Sequence, residues 1–280
     1  MVPSIVLTLR EGLEAALIIG IVLGALNKFN RTELKPVVWW GAASAAGVSV
    51  LVAIIFQLLG VAFVGEGEAI FEGITMLLAA GVLTWMIFWM AKHSRNLSTS
   101  LESEVRQATA QQGKRALFLV AFLAVVREGI ELALFLTATS LTAGGLVTLV
   151  GAAIGLAASV VLARLLFASL IKLNLRRFFL ITNILLIVFA AGLVAYGVHE
   201  LNEAMIIPAI IEHVWDINWL LDENSFVGSL MKVLFGYNGN PSLTEVLAYI
   251  TYCVVVVSAL FRSQVAGTSV SSTTTSTQAG

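Results

Sequence analysis

The chain has 280 residues, of which 59% are hydrophobic and only 12% are charged, and its formal net charge is −1 at pH 7. Soluble domains carry about 25% charged residues, so this composition excludes an ordinary soluble domain and favours a protein embedded in a membrane. The single cysteine, Cys253, excludes an internal disulfide and a metal–thiolate cluster, and any metal is therefore expected to bind oxygen or imidazole ligands.

Apolar stretches follow one another along the chain, and each is long enough to cross a bilayer as an α-helix. They predict an all-α polytopic membrane protein. The first stretch is not predicted to be a signal peptide, because it lacks a basic leading region and carries Glu11 and Glu14 where such a peptide is uncharged. The seven predicted spans cover residues 3–26, 37–63, 69–91, 116–139, 145–168, 178–199 and 243–261.

The first and fourth spans contain the same charged pattern. The sequence Arg-Glu-Gly-Leu-Glu runs from Arg10 to Glu14, and Arg-Glu-Gly-Ile-Glu runs from Arg127 to Glu131. A charged side chain near the middle of a membrane helix costs roughly 2.5 to 3.5 kcal/mol on insertion scales. Because each motif places three charges in an apolar span, the pattern indicates a function that needs charge inside the membrane.

Helix geometry places the charged residues of each motif on one side of its helix. Separations of three and four residues keep the arginine and both carboxylates within about 100° of one face. Each motif has one carboxylate more than its arginine can neutralise, and confined carboxylates suit a hard, oxygen-seeking cation. A guanidinium keeps a carboxylate ionised and oriented while other oxygens remain for a metal. The predicted ligands are Glu11, Glu14, Glu128 and Glu131, with Arg10 and Arg127 as their partners.

Small residues in other spans indicate an internal repeat anchored on the two motifs. Gly41 and Ser49 in the second span match Gly151 and Ser159 in the fifth. A unit of three spans inverts its second copy in the membrane, as in many transporters whose substrate site lies where the repeats meet. We therefore expect both motifs to face one pathway, and the seventh span to have no repeat partner. The predicted repeats cover residues 1–91 and 116–199.

Charges in the connecting segments predict the orientation. The segments after the first, third, fifth and seventh spans are basic, whereas those on the opposite side are acidic. Basic residues in short loops remain on the cytoplasmic side. The N-terminus is therefore predicted to lie outside and the C-terminus inside.

Acidic residues also lead from the predicted outer side into the spans. Glu66 and Glu68 precede the third span and would guide cations inward, with solvated loop acids as the alternative. Glu72 lies inside that span and is the stronger candidate as a metal ligand. Glu200 and Glu203 end the sixth span on the outer side and are weak candidates for the entrance.

Two further segments lie outside the spans. Residues 200–242 form a long outer connection that mixes apolar runs with acids, which favours short amphipathic helices along the interface. Its acids would concentrate cations or receive a partner protein, with solvated polar faces as the alternative. Residues 263–280 are rich in Ser and Thr without apolar periodicity, so that disorder is predicted after a single permease domain at 1–262.

The doubled motif resembles that of the high-affinity iron permease family, the oxidase-dependent iron transporters of fungi and bacteria. The resemblance covers nearly the whole chain to about residue 262, and both copies match fully. In that family the Arg-Glu-x-x-Glu motifs are held to carry iron, which implies the same role for Glu11, Glu14, Glu128 and Glu131. The resemblance also implies an iron importer of the plasma or bacterial inner membrane, supplied with ferric iron by an oxidising partner such as a ferroxidase on the outer side.

The residues alone predict only a cation pathway, and other functions stay open at this stage. The alternatives are a transporter of another divalent cation such as manganese or lead, a membrane-embedded enzyme with paired carboxylates as acid and base, and a subunit whose ion pairs only fix helix packing. No phosphate-binding loop is present, so nucleotide hydrolysis by this chain is not predicted. We expect iron as transported substrate, no tightly bound cofactor, lipid contacts and no nucleic-acid partner. Formation of a homo-oligomer stays open.

Overall fold

A computed structural model of the chain describes residues 1–63, 65–93, 113–168, 175–222 and 225–273. Every regular element within these ranges is helical, which confirms the predicted all-α class. In chain order they are α1 (Val2–Lys28), a short 3-10 helix (Thr32–Leu34), α2 (Lys35–Ala62), α3 (Glu66–His93), α4 (Gly113–Ala143), α5 (Gly145–Phe167), α6 (Leu175–Glu203), α7 (Phe226–Phe235) and α8 (Leu243–Thr273).

A long helix covers each of the seven predicted spans. By length and composition, α2, α3, α5, α6 and α8 can cross a membrane. The motif helices α1 and α4 fall outside that group because each carries the three charged residues of its motif within its apolar stretch. The chain is a membrane protein with several spans, and the count of seven stays a prediction.

The structure describes helices in both of the segments that lie outside the predicted spans. Helix α8 continues to Thr273, into the region for which the sequence predicts disorder. Adding a residue to an existing helix fixes few dihedral angles and gains one hydrogen bond, so a span can extend beyond its apolar part. Between α6 and α8, α7 is the one amphipathic helix among the described residues, and the hydroxyl of Ser225 caps it by accepting from the Gly228 amide.

The motif helices lie inside the bundle. Helix α1 packs against α5, and α2 packs against α4, while α1 and α4 also contact each other directly. Helix α3 packs against α6, and α8 lies on α6. One apolar cluster joins α1, α3, α4 and α6, and a second joins α1, α2 and α4. Arg10 and the carboxylates of both motifs are therefore buried in protein.

Large apolar side chains are exposed along α2 and α5. They include Trp40, Leu51 and Leu58 on α2 and Leu146 and Leu149 on α5. Extended apolar faces of this kind mark surfaces that contact membranes or partners. Because these helices also have the composition of membrane spans, we assign these faces to contact with lipid.

Two glycines allow the motif helices to approach their neighbours closely. A Cβ atom at Gly12 would lie 2.9 Å from Cβ of Ser159 in α5, and one at Gly129 would lie 2.5 Å from Cβ of Ser49 in α2. Carbon atoms do not approach that closely, so a side chain at either position would separate the helices. Small residues have this role at many contacts between membrane helices.

The close contact at Gly12 can be tested with a matched pair of variants. Gly12→Ala should lower the melting temperature, because overpacking costs about 1 to 3 kcal/mol. Gly24→Ala in the same helix is the control, since nothing lies within 4 Å of a Cβ there. Thermal unfolding of the purified proteins in detergent measures both, and equal melting temperatures would contradict the assigned contact.

Candidate metal centre

The first motif surrounds a fully buried arginine. Arg10 Nη1 donates to Glu11 Oε1 at 2.9 Å, and it also lies 2.7 Å from the sulfur of Met86 in α3. Arg10 Nη2 is 3.0 Å from Glu14 Oε1, although this contact lacks the alignment of a hydrogen bond. The Arg10 side chain is 0% exposed. Both terminal nitrogens of this guanidinium are thus directed at the carboxylates of its own motif.

The second motif pairs its charges differently. Arg127 Nε donates to Glu131 Oε1 at 3.0 Å and is 3.8 Å from Glu128 Oε1. The guanidinium carbon lies 4.5 Å from the ring centroid of Trp89 and 5.2 Å from that of Trp85, both in α3. One third of the Arg127 side chain is exposed. Its closest contacts to the motif carboxylates are made by Nε, while its terminal part lies over indole rings.

Carboxylates from both motifs meet between α1 and α4. Glu11, Glu128 and Glu131 are buried, and each offers an oxygen within 4.8 Å of the other two. Two oxygens bound to one hard cation at 2.0 to 2.6 Å lie at most about 4 to 5 Å apart, so this cluster has the size of a cation site. One oxygen of each carboxylate, Oε2, has no hydrogen-bond partner, and a buried polar atom of this kind needs a ligand or water.

Glu14 occupies a different position from the other motif carboxylates. It corresponds to Glu131 in the repeat, yet it does not belong to the cluster formed by Glu11, Glu128 and Glu131. Its nearest charged partner is Arg10. The structure therefore brings together three of the four predicted ligands, and the role of Glu14 as a ligand stays a prediction.

The acids predicted at the entrance lie apart from this cluster. Glu66 and Glu68 are in the first turn of α3, while Glu72 is half-buried. Glu72 interacts electrostatically with Glu68 and, across the contact with α6, with Glu200 and Glu203. Glu72 precedes Met86 by 14 residues, or about 21 Å along the helix. These acids form a separate group where the N-terminal end of α3 meets the C-terminal end of α6, and their role as an entrance stays a prediction.

His199 and Glu245 form a contact that was not anticipated from the sequence. His199 Nδ1 is 3.0 Å from Glu245 Oε1, and His199 Nε2 is 3.3 Å from Glu203 Oε1. Glu245 also accepts from the Ser242 amide at 3.1 Å, while Ser242 Oγ accepts from the Glu245 amide at 3.3 Å. This is a capping box, which the Ser-x-x-Glu spacing before an apolar run could have revealed. The contact anchors α8 to α6.

Trp85, Met86 and Trp89 were not identified from the sequence as neighbours of the motifs. These side chains belong to α3 and reach the arginines of α1 and α4 only through the packing of the bundle. Aromatic and thioether side chains are common in apolar spans, and their spacing carries no signal of this contact.

Known proteins share the whole length of the chain. The model of the "Iron permease FTR1 family" matches residues 1–273. The ferrous iron permease EfeU of Escherichia coli O6:K15:H31 (strain 536 / UPEC) is 37% identical over 256 residues, which are 90% of this chain and 92% of that protein. The ferrous iron permease EfeU of Yersinia pestis is 31% identical over 255 residues, 90% of each chain. An uncharacterized protein of Archaeoglobus fulgidus is 34% identical over 275 residues, 94% of this chain and 95% of that one. No solved structure matches the chain.

The buried ion pair of Arg10 should contribute far more to stability than an exposed one. Arg10→Gln leaves two buried carboxylates without their cation, and removing one partner of a buried pair costs about 3 to 5 kcal/mol. The control is Arg31→Gln, because Arg31 and Glu33 are 53% and 58% exposed and exposed pairs contribute at most about 1 kcal/mol. Thermal unfolding in metal-free detergent solution measures both variants. An Arg10 variant that melts with the control would contradict the assigned pairing.

Proposed function

The chain belongs to the iron permease FTR1 family and is a multi-pass protein of the plasma or inner membrane, and we propose that it imports iron through the carboxylates of its two motifs. As a permease it is a transporter and not an enzyme, so iron is its substrate. The observation that carries the proposal is the cluster of Glu11, Glu128 and Glu131, whose oxygens lie within 4.8 Å of one another. Two helices contribute these ligands, so movement between α1 and α4 would change the site.

Charge balance explains how the site can bind and release a cation. The motifs contain four carboxylates and two arginines, so that two negative charges remain when all six groups are ionised. A cation is attracted by that excess, and charge interactions are strong in a medium of low dielectric constant. The arginines hold part of the negative charge and limit the affinity. Transport requires this limit, because a cation that binds too tightly does not leave.

The proposed architecture is an inverted repeat of α1–α3 and α4–α6, with the N-terminus outside and the C-terminus inside. The contacts of matched residues support it. Gly12 contacts Ser159, and the residues that correspond to them, Gly129 and Ser49, contact each other as well. An odd number of spans in each unit would invert the second unit.

A second pair of contacts supports the same symmetry. A Cβ at Gly41 would lie 2.8 Å from the carbonyl oxygen of Phe118, and one at Gly151 would lie 2.7 Å from that of Met1. Met1 and Phe118 are separated along the chain by the same number of residues as Arg10 and Arg127. The two motif helices would thus be related by a two-fold axis that passes between them.

The iron can have one oxidation state when it arrives outside the membrane and another when it enters the site. The printed names of the relatives from E. coli and Y. pestis specify ferrous iron, whereas the family resemblance of the motifs implies ferric iron from an oxidising partner. The two oxidation states are compatible if ferrous iron arrives outside and the oxidising partner converts it to ferric iron before it enters the permease. We propose ferric iron at the site, since the harder ion prefers carboxylate oxygen.

The proposed route begins at the acids on the outer ends of α3 and α6. Glu66, Glu68 and Glu72 would receive the cation with Glu200 and Glu203, because acids on both helices interact electrostatically around Glu72. A concentration of negative charge raises the local concentration of cations and the rate at which they associate. The ion would then travel inward to the central cluster.

Loss of a cluster carboxylate should abolish most transport. Changing residues that only support metal ligands lowers affinity or activity about 10- to 100-fold, so Glu131→Gln should lower iron uptake by at least about tenfold. Glu14→Gln should lower it less, because Glu14 lies outside the cluster. Radioactive iron uptake into reconstituted vesicles measures the effect, with ferrous iron under ascorbate and ferric citrate as separate arms and manganese as competitor.

The control for this experiment is Glu33→Gln, which removes an exposed acid from the short 3-10 helix between α1 and α2. Uptake by Glu131→Gln at the level of the control would contradict the central site. Loss of uptake with an unchanged melting temperature would exclude ion pairs that only fix packing. Inhibition of radioactive iron uptake by manganese that equals inhibition by unlabelled iron would favour a carrier of divalent cations in general.

The outer acids should affect capture more than turnover. Glu72→Gln should raise KM for iron by about tenfold, in the range of electrostatic effects on association, and leave the maximal rate within about twofold. Added salt should weaken the difference because it screens surface charge. Uptake measured against iron concentration at two ionic strengths tests this, and an unchanged KM would remove Glu72 from the route.

A further inference from the structure

Identical motifs lie in different surroundings in the two halves of the bundle. Arg10 is fully buried, and both of its terminal nitrogens approach carboxylates of its own motif. Arg127 is one third exposed and uses Nε for its contact with Glu131 at 3.0 Å. Its guanidinium carbon lies over the indoles of Trp89 and Trp85. Since the charged residues are the same types at the same spacing, the difference arises from the neighbouring helices, and α3 is the neighbour that contacts both arginines.

Helix α3 contacts both arginines through adjacent positions. Met86 is 1% exposed, belongs to the apolar core and accepts from Arg10 through its sulfur. Trp85 and Trp89 are four residues apart, so they lie on one side of the helix, and both face Arg127. A thioether is a weak acceptor, whereas an indole face attracts a cation strongly. The second arginine therefore has an alternative to its carboxylates that the first lacks.

The two motifs also differ in the number of carboxylates that they contribute to the cluster. The second motif contributes both Glu128 and Glu131 to the cluster, whereas the first contributes only Glu11. Glu14, the missing member, lies 3.0 Å from Arg10. The motif whose arginine lies over indole rings thus presents two ligands, and the motif whose arginine approaches both of its own carboxylates presents one.

We propose that Trp85 and Trp89 are positioning residues that hold the terminal nitrogens of Arg127 away from Glu128 and Glu131, so that only Nε contacts these carboxylates, and thereby set how strongly the site binds the transported cation. This inference rests on the proposed function. Without the indoles, Arg127 turns its terminal nitrogens towards the two carboxylates and competes with the cation for their oxygens. Arg10 has no comparable alternative and keeps a fixed counter-charge.

The test compares an aromatic with an aliphatic replacement in the full-length protein. Trp89→Leu removes the π face, and a cation–π interaction with an indole corresponds to roughly a tenfold change in binding. Equilibrium binding of iron to purified protein in nanodiscs should therefore weaken about tenfold for Trp89→Leu, and further for the double variant with Trp85→Leu. Trp89→Phe retains a π face and should stay within about threefold of wild type. Trp40→Leu is the matched control, because Trp40 is exposed on α2.

A double-mutant cycle separates positioning from a general effect on the fold. If Trp89 acts through Arg127, Trp89→Leu should not weaken binding further in an Arg127→Gln background. Wild-type affinity in the double Trp variant, or equal loss in Trp89→Phe and Trp89→Leu, would overturn the inference. The inference would also be overturned if Trp89→Leu weakened iron binding as much in the Arg127→Gln background as in the wild-type protein. If Arg127→Gln binds no iron, the comparison of Trp89→Phe with Trp89→Leu decides. Failure of the wild-type protein itself to bind and import iron would contradict the proposed function instead.

Discussion

The structure depends on keeping charged side chains inside an apolar bundle. The central element is Arg10, which has no exposed surface and lies between the carboxylates of Glu11 and Glu14. A buried charge of this kind is tolerated only when charges of opposite sign lie beside it. For that reason α1 and α4 occupy the interior, where they contact each other and are covered by α2, α3, α5 and α6. The exposed apolar faces of α2 and α5 follow from the same arrangement, because the covering helices are the ones that meet lipid.

Close helix contacts bring the charges together. Gly12 and Gly129 follow the first carboxylate of each motif and lie against Ser159 and Ser49. Removing a side chain beside the carboxylate allows the backbones to approach without filling the space into which the carboxylate extends. The glycine inside the motif thus determines packing, while its charged neighbours determine chemistry. This division explains how three charges and one glycine in five residues can specify both a helix contact and half of the proposed cation site.

The two halves of the site are not equivalent even though their sequences nearly are. Met86 contacts one arginine, and two indoles contact the other. An arginine that lies close to both carboxylates of its own motif leaves less negative charge for a substrate than one partly held by aromatic rings. A symmetric pair of motifs inside an asymmetric environment can therefore contain a stable counter-charge and a variable one. A transporter needs both, because it must remain folded when the substrate is absent and must let the substrate leave.

The sequence by itself determined the fold class, the places along the chain where the long helices lie, and the residue types at the proposed site. Apolar runs define spans through the length that a helix needs to cross a bilayer, and charges within such runs are too costly to occur without a role. The spacing of Arg10, Glu11 and Glu14 places them on one face whatever surrounds the helix. The spacing of Ser242 and Glu245 is also sufficient to predict their capping box, although the box was not among the features predicted from the sequence.

Only the tertiary structure decided which carboxylates meet and what each arginine contacts. Glu11, Glu128 and Glu131 form a cluster, and Glu14 lies outside it. This selection depends on how α1 and α4 cross. That Arg127 lies over Trp85 and Trp89 depends on the packing of α3 beside α4. Helical periodicity fixes the direction of a side chain relative to its own axis, but it says nothing of the rotation and height of a neighbouring helix. Those two quantities are set by side-chain packing between distant parts of the chain, and they determine the distances on which metal binding depends.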